Sequence, residues 1–306
     1  MSRILVARLG DSLLAIWGIV TIVFLVTRLL GDPAVLLLPL DAPQALIASL
    51  RTELGLDRPL LVQYADFLGH AIRGDFGESF QQGRPAMTVV LERMPATVTL
   101  ASAAMVIGVI IGAAAGGFAA VMRGTVAELL VMIGALIGQA TPVFWLGLML
   151  ILVFAVDLAW FPTGGYGTGT DLVLPAFTLA TFVSASIARL FRSSLLDNIR
   201  EDHVRTAHAK GLEPATVFTW HVARNALIPV VTMIGIAMGE LLGGSVVTET
   251  VFSWPGVGRA VIQAIEYRDF PVVQAGITLI ATIYVTVNLG VDLTYAWLDP
   301  RIRRQR

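Results

Sequence analysis

The sequence predicts an all-α, polytopic membrane protein with six transmembrane helices. Of its 306 residues, 56% are hydrophobic and only 14% are charged, and the mean hydropathy is +0.78. These values lie far outside the range of a soluble domain of this length. Six apolar stretches each approach the roughly 20 residues that cross a bilayer as a helix. A helix satisfies its own backbone hydrogen bonds, which lipid requires.

The predicted spans follow one another along the whole chain, at 13–30, 97–121, 129–156, 172–190, 226–247 and 273–297. The first follows two arginines and could be mistaken for a signal peptide. Its apolar run of 18 residues has no small-x-small cleavage site after it, so we expect a retained helix. The fourth is the least typical span, because it begins near Pro175 and ends at Arg189.

Basic residues predict that both termini lie in the cytoplasm. With the N-terminus inside, thirteen of the 21 Lys and Arg residues fall in cytoplasmic segments. The two short external loops carry only Arg259 and Arg268. This asymmetry follows the positive-inside rule, from which segments longer than about 60 residues, such as 31–95, are exempt.

Residues 31–95 form the one sizeable segment outside the predicted spans. Apolar spacing predicts helices at Leu50–Leu56 and Leu60–Ile72, and the stretch from Gly74 to Ser79 is rich in turn residues. About 60 residues rarely build a core of their own. We therefore expect a small external cap that packs on the membrane helices.

Glycines recur at four-residue spacing in three predicted spans. The sets are Gly108, Gly112 and Gly116; Gly134 and Gly138; and Gly235, Gly239 and Gly243. This spacing lets two helix backbones approach closely in a membrane. Two interpretations stay open: tight packing inside one subunit, or a seam that moves or joins two subunits.

Two carboxylates fall inside predicted spans, Glu240 and Asp292. On insertion scales such a group costs about 2.5–3.5 kcal/mol, and it normally faces a partner or a water-filled cavity. Asp292 lies towards the cytoplasmic end of its span and is expected to pair with nearby arginines. Glu240 is expected nearer the middle of its span, which favours a cavity, although a protonated packing residue remains an alternative.

A short polar helix is predicted in the cytoplasm between the fourth and fifth spans. Asp202 can cap its N-terminus, and Gly211 can adopt the left-handed conformation that ends it. Pro214 suits the first turn of a second helix that runs to about Asn225. Small residues at Ala207 and Ala209 would let a partner surface come close. The alternative is an ordinary amphipathic connector.

The chain lacks the residues that several kinds of site need. Its one lysine, Lys210, precedes Gly211, so it has no phosphate-binding GxxxxGK[ST] loop. There is no cysteine for disulfide or thiolate chemistry. The four histidines, at 70, 203, 208 and 221, are not spaced as metal ligands. We expect no catalytic site and no metal site in this chain.

The region from Arg205 to Gly211, with the run from His221 to Pro229 after it, resembles the peptide-permease form of the EAA loop. This loop is the coupling segment of ABC importer membrane subunits. Further matching motifs follow in the family's order: Leu30–Pro33, Glu53–Pro59, Gly74–Gly77, Arg93–Thr97, Glu249–Gly256 and Asp299–Arg303. Together they resemble the B-type subunit of dipeptide and oligopeptide permeases. The glutamate that opens the general motif is replaced here by Arg205, with acids upstream, as in peptide-type permeases.

The resemblance implies a type I ABC importer transmembrane domain at 96–306, with five helices and a coupling loop at about 191–225, preceded by a helix and cap at 1–95. It implies as partners a homologous second permease, two cytoplasmic ATPases and an extracytoplasmic binding protein, with lipids around the chain and no nucleic acid. ATP and Mg²⁺ would bind to the ATPases, leaving this chain without a cofactor or enzymatic activity. The expected location is a bacterial or archaeal cytoplasmic (inner) membrane.

Three groups of residues are the candidate sites. ATPase coupling is assigned to Arg205, Thr206, Ala207, His208, Ala209, Lys210 and Gly211; the translocation path to Gln139, Thr141, Pro142, Ser184, Ser186 and Glu240; and contact with the binding protein to Phe76 and Trp254. Proline frees a backbone carbonyl in a span, and nearby polar side chains suit water better than lipid.

The expected mechanism is alternating access, in which closure of the ATPase dimer draws the coupling helices together. The substrate stays open: di- or oligopeptides, or instead a nickel chelate, glutathione, an opine or an oligosaccharide. An ATP-independent secondary transporter or channel is the rival from another class, and a membrane scaffold is a third. The long predicted cytoplasmic loop with two helices disfavours a secondary transporter or channel, and Glu240 inside a span disfavours a scaffold.

Overall fold

The computed structural model describes residues 2–29, 33–36, 38, 42–53 and 55–298. Within these residues the structure is helical, and the only β-type pairing is an isolated bridge between Glu78 and Pro85. The predicted all-α fold is therefore confirmed. The predicted motif at Asp299–Arg303 lies outside the described residues, as does most of Leu30–Pro33.

The α-helices, numbered in chain order, are α1 Ser2–Leu29, α2 Pro33–Leu36, α3 Gln44–Glu53, α4 Leu60–Ala71, α5 Ala86–Leu91, α6 Met94–Val121, α7 Val126–Ala140, α8 Val143–Leu150, α9 Val173–Asn198, α10 Asp202–Ala209, α11 Pro214–Thr216, α12 Arg224–Gly244, α13 Val246–Val251, α14 Val257–Glu266 and α15 Phe270–Leu298. Two π-helical segments, Ile151–Asp157 and Val217–Ala223, and one 3₁₀ turn, Gly169–Leu172, continue or precede these helices.

Among the described residues, five helical runs are long and apolar enough to cross a membrane: Arg8–Leu29, Ala86–Val121, Gly169–Asn198, Pro214–Gly243 and Phe270–Asp292. Two further segments, Val126–Ala140 and Val143–Asp157, pass the same test together but are bent by 103°. Counted as one broken span, they bring the described chain to the six spans that the sequence predicts.

The predicted third span, 129–156, is not one helix. It breaks at Thr141, whose ψ of 124° is extended, and α8 starts after Pro142. Proline has no N–H to continue the helix, and it disfavours the helical conformation in the residue before it. The sequence showed the polar interruption at this point, but not the size of the bend.

The predicted boundary near Asn225 is wrong. The helix that starts at Pro214 continues through the π-helical stretch Val217–Ala223 into α12, so one run of 30 residues replaces a cytoplasmic helix followed by a separate span. Pro229 lies inside α12 without ending it. The segment that follows α10 and the span after it are therefore parts of one helical run.

The chain forms two compact units. One comprises residues 98–254 and 287–298 of the described chain. Its centre is α9, which packs against α7, α8, α12 and α13. Fourteen of the 26 residues of α9 are buried. The predicted span with the least typical sequence is thus the most enclosed helix of this unit, because polar and small residues suit a helix surrounded by other helices.

Glycines close the contact between α6 and α9. A Cβ built on Gly108 would lie 2.8 Å from the Val183 side chain, and one on Gly112 would lie 2.7 Å from the Ser184 carbonyl oxygen. At Gly116 the corresponding distance to the Ala188 carbonyl oxygen is 2.5 Å. This set of glycines therefore packs inside one subunit, which is the first of the two interpretations that the sequence left open.

The second unit comprises residues 2–97 and 255–286. Its core joins the loop and helices near Phe76 and Val90 to α14 and α15. Phe24 of α1 contacts the rings of Tyr64 and Phe67 in α4, with centroids 5.3 and 5.2 Å apart. The segment after α1 packs on these helices and has no separate core in its described part, as the sequence predicts.

Candidate functional site

The helix α10 begins and ends near the predicted residues. Asp202 is its first helical residue, not its cap; Glu201 holds the cap position and makes no side-chain capping hydrogen bond. Gly211 has φ +75°, the left-handed conformation that glycine adopts most easily. Its N–H donates to the His208 carbonyl oxygen at 2.9 Å. The predicted stop is therefore confirmed, and the predicted Asp202 cap is wrong.

The two faces of α10 differ in burial. Val204 and Ala207 are both 3% exposed and lie on the side turned towards the π-helical segment Val217–Ala223. The predicted coupling residues that remain exposed are Arg205, Thr206, His208, Ala209, Lys210 and Gly211. The expectation that Ala207 lies on a partner-facing side is wrong, because its methyl group fills the contact with the chain itself. Ala209 is the small residue on the open side.

Hydrogen bonds fix α10 to the start of the long helix that follows it. His203 Nε2 donates to the His221 carbonyl oxygen at 3.0 Å, and Asn225 Nδ2 donates to the same oxygen at 3.0 Å. The Arg205 guanidinium lies 3.6 Å from Asp202 on the exposed surface. α10 is thus held against the base of the Pro214–Gly243 run, and its outer face stays open.

A carboxylate, Glu128, links three further elements of the same unit. Glu128 Oε2 accepts from the Gly124 N–H at 2.6 Å, and its other oxygen, Oε1, accepts from the Arg192 guanidinium. Thr125 caps α7 by accepting from the Glu128 N–H at 3.4 Å. The α6–α7 turn, α7 and α9 are joined at one ion pair, about two turns before α9 ends at Asn198.

Glu240 lines a cavity of about 190 Å³ in this unit. The other lining residues are apolar: Val143, Leu179, Phe182, Val183, Ala237 and Leu241. The Glu240 side chain is exposed and has no hydrogen-bond or ion-pair partner among the described residues. Glu240 lies about one turn before the end of α12 at Gly244, and α13 follows from Val246.

The other predicted path residues fall into two groups, one beside the cavity and one in the packing between helices. Gln139, Thr141 and Pro142 lie at the α7–α8 bend, next to the cavity residue Val143. Ser184 donates to the Thr181 carbonyl oxygen at 2.9 Å, and Ser186 is buried. Neither serine lines the cavity, and the backbone at Ser184 faces Gly112. The structure gives the two serines a place in helix packing.

Phe76 and Trp254, the expected contacts for a binding protein, are 8% and 2% exposed. Trp254 stacks edge-on against Tyr166, with ring centroids 4.9 Å apart, and Tyr166 itself is 55% exposed. The expectation of direct contact through these two rings does not fit their burial. Each ring fills its own unit, and the exposed aromatic residue beside Trp254 is Tyr166.

The sequence matches the family described as "Binding-protein-dependent transport system inner membrane component" over residues 108–304. Residues 1–101 match the N-terminal component of the same kind of transport system. The chain belongs to this family. It is a multi-pass inner-membrane permease subunit of an ABC importer.

Curated relatives match the chain from end to end. The di/tripeptide transport system permease protein DppB of Pseudomonas aeruginosa is 41% identical and covers 100% of both chains. The glutathione transport system permease protein GsiC of Escherichia coli K12 is 42% identical and covers 99% of both. A crystal structure of an amino acid ABC transporter with histidines covers 70% of this chain and 94% of its own, with a TM-score of 0.52 and 20% identity. That likeness concerns the fold alone.

Sequence reasoning missed three buried or paired carboxylates. Glu128 could have been found from the pattern Thr125-x-x-Glu128, which is typical of a helix N-terminus. Glu249 is fully buried and accepts from the Ser245 hydroxyl at 2.9 Å. Asp269 accepts from the Ser79 hydroxyl at 2.5 Å and from the Phe80 N–H at 3.1 Å. Its partners lie about 190 residues away in sequence, so no local signal exists for it.

Proposed function

We propose that this permease imports di- or tripeptides, or a peptide-like solute such as glutathione. The observation that carries the proposal is the end-to-end similarity to permeases named for di/tripeptide and glutathione transport. Both kinds of substrate carry an ammonium group and a carboxylate, and both contain peptide bonds. A nickel chelate, an opine or an oligosaccharide has weaker support, because the relatives compared above are not named for them.

The proposed assembly contains a homologous second permease, two cytoplasmic ATPases and an extracytoplasmic binding protein. ATP and Mg²⁺ would be held by the ATPases, and this chain would bind no cofactor and catalyse no reaction. Both termini would be cytoplasmic, which puts α10 on the same side as the ATPases. The exposed face of α10, with Arg205, Ala209 and Lys210, supports this placement because the opposite face is already packed.

The proposed coupling follows from the connections of α10. Three residues separate α9 from α10, and the long run to Gly243 begins five residues after α10 ends. A displacement of α10 by an ATPase would therefore act on two spans at once. A state change driven this way needs only that the ATPases bind one arrangement of the permease more tightly than the other. The cavity beside Glu240, between α8, α9 and α12, would then open to alternate sides of the membrane.

The test uses the full transporter in proteoliposomes, with ATP inside and a radiolabelled Ala–Ala dipeptide outside together with the binding protein. Ala209→Trp should reduce ATP-driven uptake at least tenfold, because its exposed face would no longer fit an ATPase, while the melting temperature of the permease stays unchanged. Ala207→Trp is the matched control on the packed face. It should lower the melting temperature, since an indole does not fit where a methyl group is buried.

Wild-type uptake by the Ala209→Trp transporter would contradict the assignment of α10 as the ATPase contact. Uptake by the wild-type transporter that proceeds equally well without ATP would favour the secondary-transport alternative. Failure of the wild type to take up any dipeptide, with a solute of another class taken up instead, would overturn the proposed substrate.

A further inference from the structure

Glu240 is a carboxylate in a membrane span with apolar walls around it and no partner among the described residues. An unpaired charge at such a place is costly, so it is normally balanced by water, by a buried partner or by a passing ion. The cavity's lining from Val143, Leu179, Phe182, Val183, Ala237 and Leu241 provides no cation. The charge is therefore available to a group that enters from outside the chain.

The shape of the cavity restricts that group. About 190 Å³ is the volume of about six water molecules, which admits an ammonium group with a short apolar side chain and the adjoining peptide unit but not an oligopeptide. Aliphatic and aromatic walls suit the side chain, and the single carboxylate suits the ammonium group. A metal ion would need more ligands than this cavity offers, and the described residues contain no group of three His, Asp or Glu that could supply them.

A second unpaired charge, Arg189, lies on the face of α9 that carries the cavity residue Phe182. Phe182, which lines the cavity, is exposed, and so are Arg189 and Ser193, seven and eleven residues further on. Residues at these spacings share one side of a helix, on which the intervening Ala185 and Ser186 are buried and these three residues are exposed. Arg189 lies about 10 Å beyond Phe182 along the axis, and it has no partner among the described residues.

We propose that the Glu240 cavity holds the ammonium group and first side chain of a zwitterionic substrate in transit, with Arg189 facing its carboxylate end. An extended chain spans about 3.3–3.6 Å per residue, so two or three residues and the reach of the arginine side chain bridge the two charges. This inference rests on the proposed function, and it explains why one carboxylate and one guanidinium remain unpaired on facing membrane helices. The contacts are exchanged for others as the substrate moves on.

The test measures uptake of radiolabelled Ala–Ala below saturation by the complete transporter in proteoliposomes. Glu240→Gln keeps the size of the side chain and removes the charge, so uptake should fall about tenfold, as expected for the loss of one charged hydrogen bond. The yield of the assembled complex should stay at the wild-type level. Asp11→Asn, the same chemical change at an exposed residue of α1 that is not among the cavity's lining residues, is the matched control and should leave uptake unchanged.

The absence of cysteine from the chain allows the charge to be put back. A Glu240→Cys permease treated with a sulfonatoethyl thiosulfonate gains an anion at this place, and uptake should recover in part. The trimethylammonioethyl reagent, similar in size and positively charged, should give no recovery. The wild-type complex treated in parallel accounts for any cysteine in the partner subunits. Arg189→Gln should lower uptake of the same dipeptide by a smaller factor of about three, because this guanidinium is exposed.

Three results would overturn the inference while leaving the proposed function intact. These are wild-type uptake by Glu240→Gln, equal recovery with reagents of either sign, and loss of complex assembly in Glu240→Gln, which would make the carboxylate a contact with a partner subunit. Unchanged uptake by Arg189→Gln would contradict the proposed contact between Arg189 and the substrate carboxylate. A wild-type transporter that takes up no dipeptide would overturn the proposed function and this inference with it.

Discussion

In α6, Gly108, Gly112 and Gly116 face α9 across a contact where a Cβ atom would have no room. In α7, which packs on the same helix, Gly134 meets nothing within 4 Å, and the helix ends at Ala140 with a bend of 103° into α8. Only Gly138 of α7 comes close to α9, with its added Cβ 3.1 Å from the Thr181 side chain. Both helices carry glycines at four-residue spacing, yet only α6 uses all of them to pack within the chain.

The difference shows that this spacing permits a close contact but does not create one. The α6 glycines meet carbonyl groups and β-branched side chains of α9, so the two helices lie together along a little over two turns. The broken pair α7–α8 instead reaches the Glu240 cavity through Val143, the first residue after the bend. Helices α6 and α9 form a continuous close contact, whereas the pair α7–α8 changes direction beside the candidate translocation path.

The largest effect is expected from Gly112→Leu. The new Cβ would lie 2.7 Å from the Ser184 carbonyl oxygen, and a backbone atom cannot rotate away, so the helices must separate. Overpacking of this kind costs about 3 kcal/mol or more. We expect the melting temperature of the purified permease and its amount in the membrane both to fall sharply.

Gly134→Leu is the matched control for this change. Its Cβ would enter open space, so the folded permease should melt as the wild type does. An equal loss of stability in both variants would show that the two glycine sets are not used differently. A loss of complex assembly in Gly134→Leu alone would assign its open face to a partner subunit.

The second-largest loss of stability is expected at the ion pair between Glu128 of α7 and Arg192 of α9. Arg192→Glu places two carboxylates together and should lower the melting temperature, because Glu128 also accepts from the Gly124 N–H. The double variant Glu128→Arg/Arg192→Glu should recover part of this loss, since the pair is restored but the turn at Gly124 loses its acceptor. The absence of any recovery would contradict a direct interaction between the two side chains.

The smallest effect on stability is expected from Pro142→Ala. Alanine lets Thr141 become helical and supplies the missing N–H, so α7 and α8 can join into one straight helix. Spin labels on Ile133→Cys and Val153→Cys should then move to about 30 Å apart, the length of 20 helical residues. Stability should change little, and dipeptide uptake should fall because Val143 leaves the cavity.

Pro229→Ala is the control for that experiment. Pro229 lies inside α12, and the helix runs through it without a break. Replacing it should alter neither the distance between the labels nor the course of α12. An unchanged label distance in Pro142→Ala would show that packing against α9, and not the proline, imposes the bend.

The sequence predicted the local features well where one residue type decides them. Gly211 has the left-handed conformation expected of a helix end, and Pro214 is in the first turn of the next helix. The sequence-based predictions failed where packing between separate segments determines the environment of a residue. Ala207 was predicted to face a partner and is buried within the chain. Asp269 was not predicted at all, because its partners lie near residue 80. The side of a helix that becomes buried depends on what packs on it, and a local pattern does not contain that information.

Composition and apolar length alone determined that this chain crosses the membrane as helices, because lipid accepts few other backbone arrangements. Its motifs alone determined the family, and the single lysine before Gly211 determined that no phosphate-binding loop is present. The tertiary structure decided which glycines pack, how far the third span bends, and that Glu240 lines an otherwise apolar cavity without a partner among the described residues. These properties arise from the distances between helices, which are set by the shapes of both partners in each contact.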